Sequence, residues 1–212
     1  MDRLKNYLVI TWEIKKAAVM SEMEYRANFL MQVFFMMLNN ATWIFLWGIF
    51  FTQFPEINGW KFRDTIIIFA LSSASYGLMM FLAGGSPDIS RMVARGELDR
   101  FFFYPKDILW QISINRTVIS AIGDIFFGAI LFFFAGNVTV EAFLFFVLFS
   151  FISALIFFNF VVLFQSVTFF VGNFEDAAEN FFWSLLGFGF YPQTVFHGLL
   201  QIIMFTVLPA FF

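Results

Sequence analysis

The sequence contains no cysteine, and it also lacks the short motifs of common ATP-binding and hydrolytic sites. The missing thiols exclude disulfides, thiol catalysis and cysteine-based metal sites. Without the pattern G-x-x-x-x-G-K-[ST] this chain does not bind ATP through a P-loop. Without H-E-x-x-H or G-x-S-x-G, the common designs for intramembrane hydrolysis fail. We therefore expect a protein that is not an enzyme and that binds no metal or cofactor itself.

Charged residues are scarce as well. The 212 residues include 12 Lys and Arg and 15 Asp and Glu, or 13% of the chain, about half the usual share of a soluble domain. Apolar residues make up 61%, and Phe alone occurs 38 times. One soluble core could not bury that much apolar surface, so lipid must be the main solvent. No basic patch indicates nucleic acid as a partner.

Long apolar runs predict an all-α, polytopic membrane protein that forms a single domain over residues 1–212. The runs that are long enough to be full spans are residues 27–51, 65–83, 108–135, 142–171 and 178–195. Residues 199–212 are apolar but short for a crossing, so they predict a partial re-entrant or sixth segment. In the second span, Ser73 and Gly77 form a small-xxx-small pair that would let another helix approach closely.

Residues 1–26 are mixed in character and predict a helix that lies in the membrane surface. Apolar and weakly polar residues recur at three-to-four spacing and form one stripe, which we expect to face the membrane. The stripe consists of Leu4, Tyr7, Thr11, Ile14 and Ala18. The alternative is an ordinary solvated helical extension.

Residues 84–107 form the longest polar interruption of the chain, and they predict a short helix with defined ends. Ser86 is a good N-cap, and Pro87 fits the first helical position, where a missing N–H costs nothing. Asp88 suits the positive N-terminal end of such a helix, and Gly96 supplies the left-handed residue that stops it.

The faces of this helix differ in polarity. Ile89, Met92 and Val93 fall on one face, and the charged residues lie mostly on the other. Arg91 and Arg95 suit the negative C-terminal end of the helix. An amphipathic helix between two spans must lie outside the lipid core. We predict that it docks a partner on the cytoplasmic side.

The distribution of Lys and Arg predicts the orientation. The N-terminal segment carries five of these residues and the 84–107 loop carries four, whereas the loop between the first two spans carries two and the loop after the third carries none. Basic residues favour the cytoplasmic side, so both the N-terminus and the 84–107 loop are predicted to lie in the cytoplasm.

Few polar residues lie within the predicted spans. Asp124, flanked by glycines, would cost about 2.5–3.5 kcal/mol at the bilayer centre, so it should face protein or water at a path or a subunit interface. A protonated or locally hydrogen-bonded Asp124 near the outer interface is the alternative. Asn39, Asn40 and Asn159 are further candidates for the path, the interface or bonds between helices. Arg116 is expected to reach the headgroups rather than pair with Asp124.

The run GELD at residues 96–99, followed by Pro105, resembles the G-x-L-D…P signature of membrane subunits of type-two ATP-binding-cassette (ABC) exporters. The similarity is to the bacterial branch of small six-span permeases. Tyr25-Arg26, Gly59-Trp60 and Leu208-Pro209 also resemble that branch. Two features depart from it, because Tyr104 replaces the usual basic residue and members are longer and end with a sixth span. We therefore expect a sequence truncated at its C-terminus.

The resemblance implies a mechanism and partners. Two permease subunits, identical or different, would form the path in the bacterial inner membrane, and each would pair with a cytoplasmic ATPase that uses the ATP. The loop residues that would contact this ATPase are Asp88, Arg91, Arg95, Gly96, Glu97, Leu98, Asp99 and Pro105. A membrane scaffold without transport is the alternative function, and an intramembrane enzyme is the third interpretation.

Overall fold

A computed structural model describes residues 2–57, 59–136, 139–172, 174–189 and 197–206. Within these ranges the chain is helical and contains no β-strand. The α-helices are α1 (Asp2–Glu24), α2 (Arg26–Gln53), α3 (Phe62–Ala83), α4 (Ile89–Ala94), α5 (Ile108–Asn115), α6 (Ala121–Phe134), α7 (Val140–Gln165), α8 (Thr168–Val171), α9 (Glu175–Gly189) and α10 (Leu199–Thr206). Two 3₁₀ segments, Ser86–Asp88 and Glu97–Phe103, flank α4.

Three stretches among the described residues are long and apolar enough to cross a membrane, namely Arg26–Gln53, Phe62–Ala83 and Val140–Val171. The fourth apolar helix, α6, is shorter. The prediction of an all-α polytopic membrane protein is confirmed. Of the predicted segments 178–195 and 199–212, the parts 190–195 and 207–212 lie outside the described residues.

The predicted continuous helix over residues 108–135 is wrong. Helix α5 ends at Asn115, Arg116 has extended backbone angles (φ −121°, ψ 139°), and α6 begins at Ala121. Backbone bonding to another element supports the break, since the Val118 amide donates to the Met80 carbonyl at 3.3 Å. Three consecutive polar residues, Asn115, Arg116 and Thr117, lie at the break. The apolar runs on either side of them predict one helix where tertiary contacts favour two.

Helix α3 occupies the centre of the bundle, where it packs against α6 and α7. Glycines bring α3 and α6 close together, because a Cβ at Gly77 would lie 2.8 Å from the Ala121 carbonyl and one at Gly128 would lie 2.6 Å from the Ala70 carbonyl. Ser73 adds a bond from its hydroxyl to the Asp124 carbonyl at 2.9 Å. The close approach predicted from Ser73 and Gly77 is confirmed.

Helix α1 uses its predicted membrane stripe for a different contact. Tyr7 meets the ring of Trp110 edge-on at a centroid distance of 4.7 Å, and Thr11 accepts from the Trp110 indole N–H at 3.2 Å. Tyr7 and Thr11 of the stripe therefore pack on α5, a contact that three-to-four periodicity does not distinguish from burial in the membrane. Leu8 and Trp12, at 63% and 67% exposed, lie on the remaining apolar side.

Candidate functional site

The 84–107 loop is a packed structure whose helical stop was predicted correctly. Gly96 has φ +68° and follows the last turn of α4. The capping role of Ser86 was wrong, since its hydroxyl donates to the Ser113 hydroxyl at 3.1 Å and Pro87 lies in a 3₁₀ turn. The Ser86 hydroxyl therefore forms a hydrogen bond with α5 instead of the predicted cap bond at the start of this loop.

The apolar face of α4 anchors the loop to the bundle. Ile89 and Met92 are buried in a cluster with Phe101 and Ile112, and Val93 packs against it. On the same side, the Ser90 amide donates to the Gln165 side-chain oxygen at 2.9 Å. The predicted apolar face is confirmed, and it holds the loop against α5 and the end of α7.

Asp88 is an internal ion-pair partner rather than a surface group. Its carboxylate accepts from Arg91 at 2.8 Å and from Arg116 at 2.9 Å, and only 12% of its side chain is exposed. The break after α5 brings Arg116 to the loop, where it pairs with Asp88 and not with Asp124, and the expectation that it reaches the headgroups stays a prediction. Leu98 packs against the apolar cluster and Arg95 lies 3.6 Å from Glu175.

The outward side of the loop combines charges with exposed aromatic rings. Of the predicted contact residues, Arg95, Gly96, Asp99 and Pro105 are exposed, and Glu97 is half-buried. Phe102, Phe103 and Tyr104 are 65%, 86% and 63% exposed, although they were not among the candidates. The run of three aromatic residues in a polar loop was the available signal. We call the exposed residues the loop surface, which comprises Arg95, Gly96, Asp99, Arg100, Phe102, Phe103, Tyr104 and Pro105.

Helix α1 braces the C-terminal end of α5 through Lys15, which the sequence did not single out. The Lys15 ammonium lies 3.4 Å from the Ile114 carbonyl, 3.2 Å from the Arg116 carbonyl and 3.0 Å from the Thr117 hydroxyl. These acceptors lie at the C-terminal end of α5 and just after it, where carbonyls lack helical partners and the dipole favours a cation. The end of α5 is thereby tied to α1, and the loop itself meets α1 where the Asp107 amide donates to the Tyr7 hydroxyl at 3.3 Å.

Burial lowers the pKa of Lys15 to about 8, because desolvation disfavours the charged ammonium. Between pH 8 and the ordinary value of 10.5, the folded chain thus binds fewer protons than the unfolded chain. The stability contributed by Lys15 therefore rises with pH across this window and is lost as pH falls through 8. We expect the free energy of unfolding of wild type relative to Lys15→Met to increase by about 2 kcal/mol from pH 8 to pH 10.

Thermal unfolding in detergent at each pH measures this difference. Lys16→Met is the matched control, since Lys16 is exposed on the neighbouring position and its removal should leave the pH dependence unchanged. A free energy of unfolding of wild type that decreases relative to that of Lys15→Met as the pH rises would contradict the buried, desolvated ammonium.

Asp124 lies in the first turn of α6, is 2% exposed and accepts from the Asn40 amide at 2.6 Å. It faces protein, as expected. Its second oxygen, Oδ2, is buried and has no hydrogen-bond partner among the described residues. Asn39 is exposed on α2, and exposed Asn159 donates to the Leu155 carbonyl of its own helix at 2.7 Å. Only Asn40 and Asp124 are brought together.

A cleft of about 470 Å³ lies between the loop and the ends of α3, α6 and α9. It joins the features described above, because its lining includes both the Asp88 ion pairs and Asp124. We call it the loop-side cleft, and its defining residues are Tyr76, Asp88, Arg116, Asp124, Glu179 and Trp183. A volume of this size accommodates a small organic molecule.

The fold defines a multi-pass helical membrane protein with a compact, packed loop between α3 and α5. The family model described as ABC-2 family transporter protein matches residues 37–212, which is most of the chain. The chain belongs to this family and is a membrane subunit of an ABC transporter. No curated protein matches it. No solved structure matches it either.

Proposed function

We propose that the chain is the membrane subunit of an ATP-driven exporter and that the 84–107 loop couples it to a separate cytoplasmic ABC ATPase. The observation that carries this proposal is the two-sided construction of the loop. Its inner side is fixed by Ile89, Met92 and Asp88, whereas its outer side presents the loop surface. Exposed aromatic and Arg side chains are the residue types that dominate protein–protein contacts.

Coupling requires that a force on the loop be transmitted to the membrane spans. Hydrogen bonds between the loop and the helices support such transmission. Arg116 connects the loop to the segment before α6, and Gln165 connects it to the end of α7. Lys15 connects the C-terminal end of α5 to α1. Closure of the ATPase on ATP would therefore move the loop with three helices rather than deform a free linker.

The remaining partners follow from the same proposal. Asn39 supports a second permease subunit, identical or different, because a polar side chain exposed on an apolar span gains from a covering helix. The protein belongs to the bacterial inner membrane in this proposal. The distribution of Lys and Arg supports a cytoplasmic location of the loop and of the N-terminus. ATP is used by the partner, and this chain does no bond chemistry and binds no cofactor.

Reversing the charges of the loop tests the docking role. Glu97→Lys together with Asp99→Lys should lower co-purification of the cognate ATPase by about ten-fold or more, since like charges at a contact are costly. The chain should still insert and unfold at the wild-type temperature, because Asp99 is exposed and Glu97 half-buried. Co-purification and ATP-dependent efflux are the measurements.

The matched control is Glu56→Lys with Glu141→Lys, which reverses two exposed carboxylates at the opposite ends of the helices, one in the segment between α2 and α3 and one in the first turn of α7. This control should keep the ATPase bound. Normal ATPase association and normal ATP-dependent efflux in the Glu97 and Asp99 variant would contradict the docking role of the loop.

A further inference from the structure

The loop-side cleft contains a surplus of negative charge. Among the described residues, four carboxylates and two guanidinium groups line it. Asp88 is held by both guanidinium groups, those of Arg91 and Arg116. Glu175 lies 3.6 Å from Arg95. Within the part of the chain that the structure describes, Asp124 and Glu179 are the lining carboxylates that form no ion pair.

The geometry of Asp124 points to a hydrogen-bond donor that comes from outside the chain. Its Oδ1 accepts from Asn40, but its buried Oδ2 has no donor among the described residues. A buried carboxylate oxygen without a donor is unfavourable, and a ligand that carries an N–H would remove this cost. Because Asp124 lines the cleft, a molecule bound there lies next to this carboxylate.

The other walls of the cleft are suited to the apolar part of such a ligand. Tyr76, Phe182 and Trp183 supply aromatic rings, and Met36 and Met80 supply flexible apolar contacts. Aromatic faces attract cations as well as apolar groups. The described residues include no group of three or more His, Cys, Asp or Glu that could hold a metal ion, so an organic cation fits better than a metal.

We propose that the loop-side cleft binds amphipathic organic cations with an N–H-bearing ammonium group, which donates to Asp124 Oδ2 while the apolar body lies between Tyr76, Phe182 and Trp183. This inference rests on the proposed export function and names the class of molecule that would be exported. It also explains why the cleft adjoins the loop, since Pro87 and Asp88 belong to both. Movement of the loop would change the shape of the site.

Three probes with one aromatic body test the proposal. Dansylcadaverine carries a primary ammonium, its N,N,N-trimethyl derivative keeps the charge without N–H groups, and its N-acetyl derivative is neutral. We expect the full chain in lipid nanodiscs to bind dansylcadaverine about ten-fold or more tightly than either derivative, as measured by fluorescence titration. Equal binding of the N-acetyl probe would overturn the cation site, and equal binding of the trimethyl probe would overturn the bond to Asp124.

Two variants make the test specific to the cleft. Asp124→Asn should lose about ten-fold or more in affinity for dansylcadaverine, because it removes the charge but retains an oxygen for the Asn40 amide. Trp183→Leu changes an exposed wall residue, so it should fold normally and weaken binding by about three-fold or more. Asp64→Asn, outside the cleft, is the control. Unchanged affinity in a folded Asp124→Asn variant would refute the proposal. If Asp124→Asn does not fold, unchanged affinity in Trp183→Leu would refute it instead.

The outcome is separable from that of the proposed function, because titration requires neither ATP nor the ATPase. Cation binding that persists in the Glu97 and Asp99 variant, together with failed docking, supports both proposals. Cation binding without any ATP-dependent efflux would contradict the exporter and leave the site standing. Efflux of uncharged molecules without cation binding would contradict only the site.

Discussion

Gly85→Ala is expected to lower the free energy of unfolding by about 3 kcal/mol or more, at or beyond the upper end of ordinary overpacking. A Cβ at this position would fall on the carbonyl oxygen of Ile112, which is backbone and cannot rotate away. The Gly85 amide also donates to the Ser113 carbonyl at 3.1 Å, so relief of the clash would break this bond. The loop would then separate from α5.

Denaturation of the purified chain in mixed micelles measures this loss, and ATPase co-purification reports on the loop itself. Gly187→Ala is the matched control, because a Cβ there meets nothing within 4 Å and helical alanine is favoured over glycine. It should be neutral or slightly stabilising. Wild-type stability in Gly85→Ala would show that the loop and α5 are not in backbone contact.

Asn40→Leu is expected to destabilise the chain by about 1.5–3 kcal/mol, the range for a lost hydrogen bond to a charged group. The substitution removes the donor 2.6 Å from Asp124 and leaves both carboxylate oxygens buried without a side-chain donor. Since these residues connect α2 to α6, the two helices should also separate more readily. Thermal unfolding and disulfide crosslinking between introduced cysteines would report the two effects.

The neighbouring residue provides the control for this experiment. Asn39→Leu changes an exposed amide on the same helix and should leave the stability of the isolated subunit unchanged. The double variant Asn40→Leu/Asp124→Leu should recover most of the loss, because removing both partners leaves no unpaired buried charge. A double variant that is less stable than Asn40→Leu would mean that the pair is not the source of the effect.

Local features of the loop could be predicted from the sequence because they depend on neighbouring residues. The left-handed stop at Gly96 follows from its missing side chain, and the buried face of α4 follows from the spacing of Ile89 and Met92. The predicted cap at Ser86 is wrong because it depends on a distant residue. The Ser86 hydroxyl donates to the hydroxyl of Ser113, 27 positions away, which no local pattern indicates.

The site was predicted less completely, because it depends on how distant segments meet. Burial of Asp124 followed from the cost of a charge in lipid, but Asn40 could not be separated from Asn39 and Asn159 without knowing which face of α2 packs inward. The prediction of one helix over residues 108–135 also gave Arg116 the wrong position. A continuous helix would carry this residue away from Asp88, whereas the break brings them together at 2.9 Å.

The ion pair between Asp88 and Arg116 has a mechanical consequence. The two residues are 28 positions apart, and their bond closes the intervening chain into a ring. A second bond, from the Gly85 amide just before the ring to the Ser113 carbonyl within it, closes the same neck. The outgoing end of α3 and the segment that leads into α6 are therefore held next to each other, so a load on the ring would act on both.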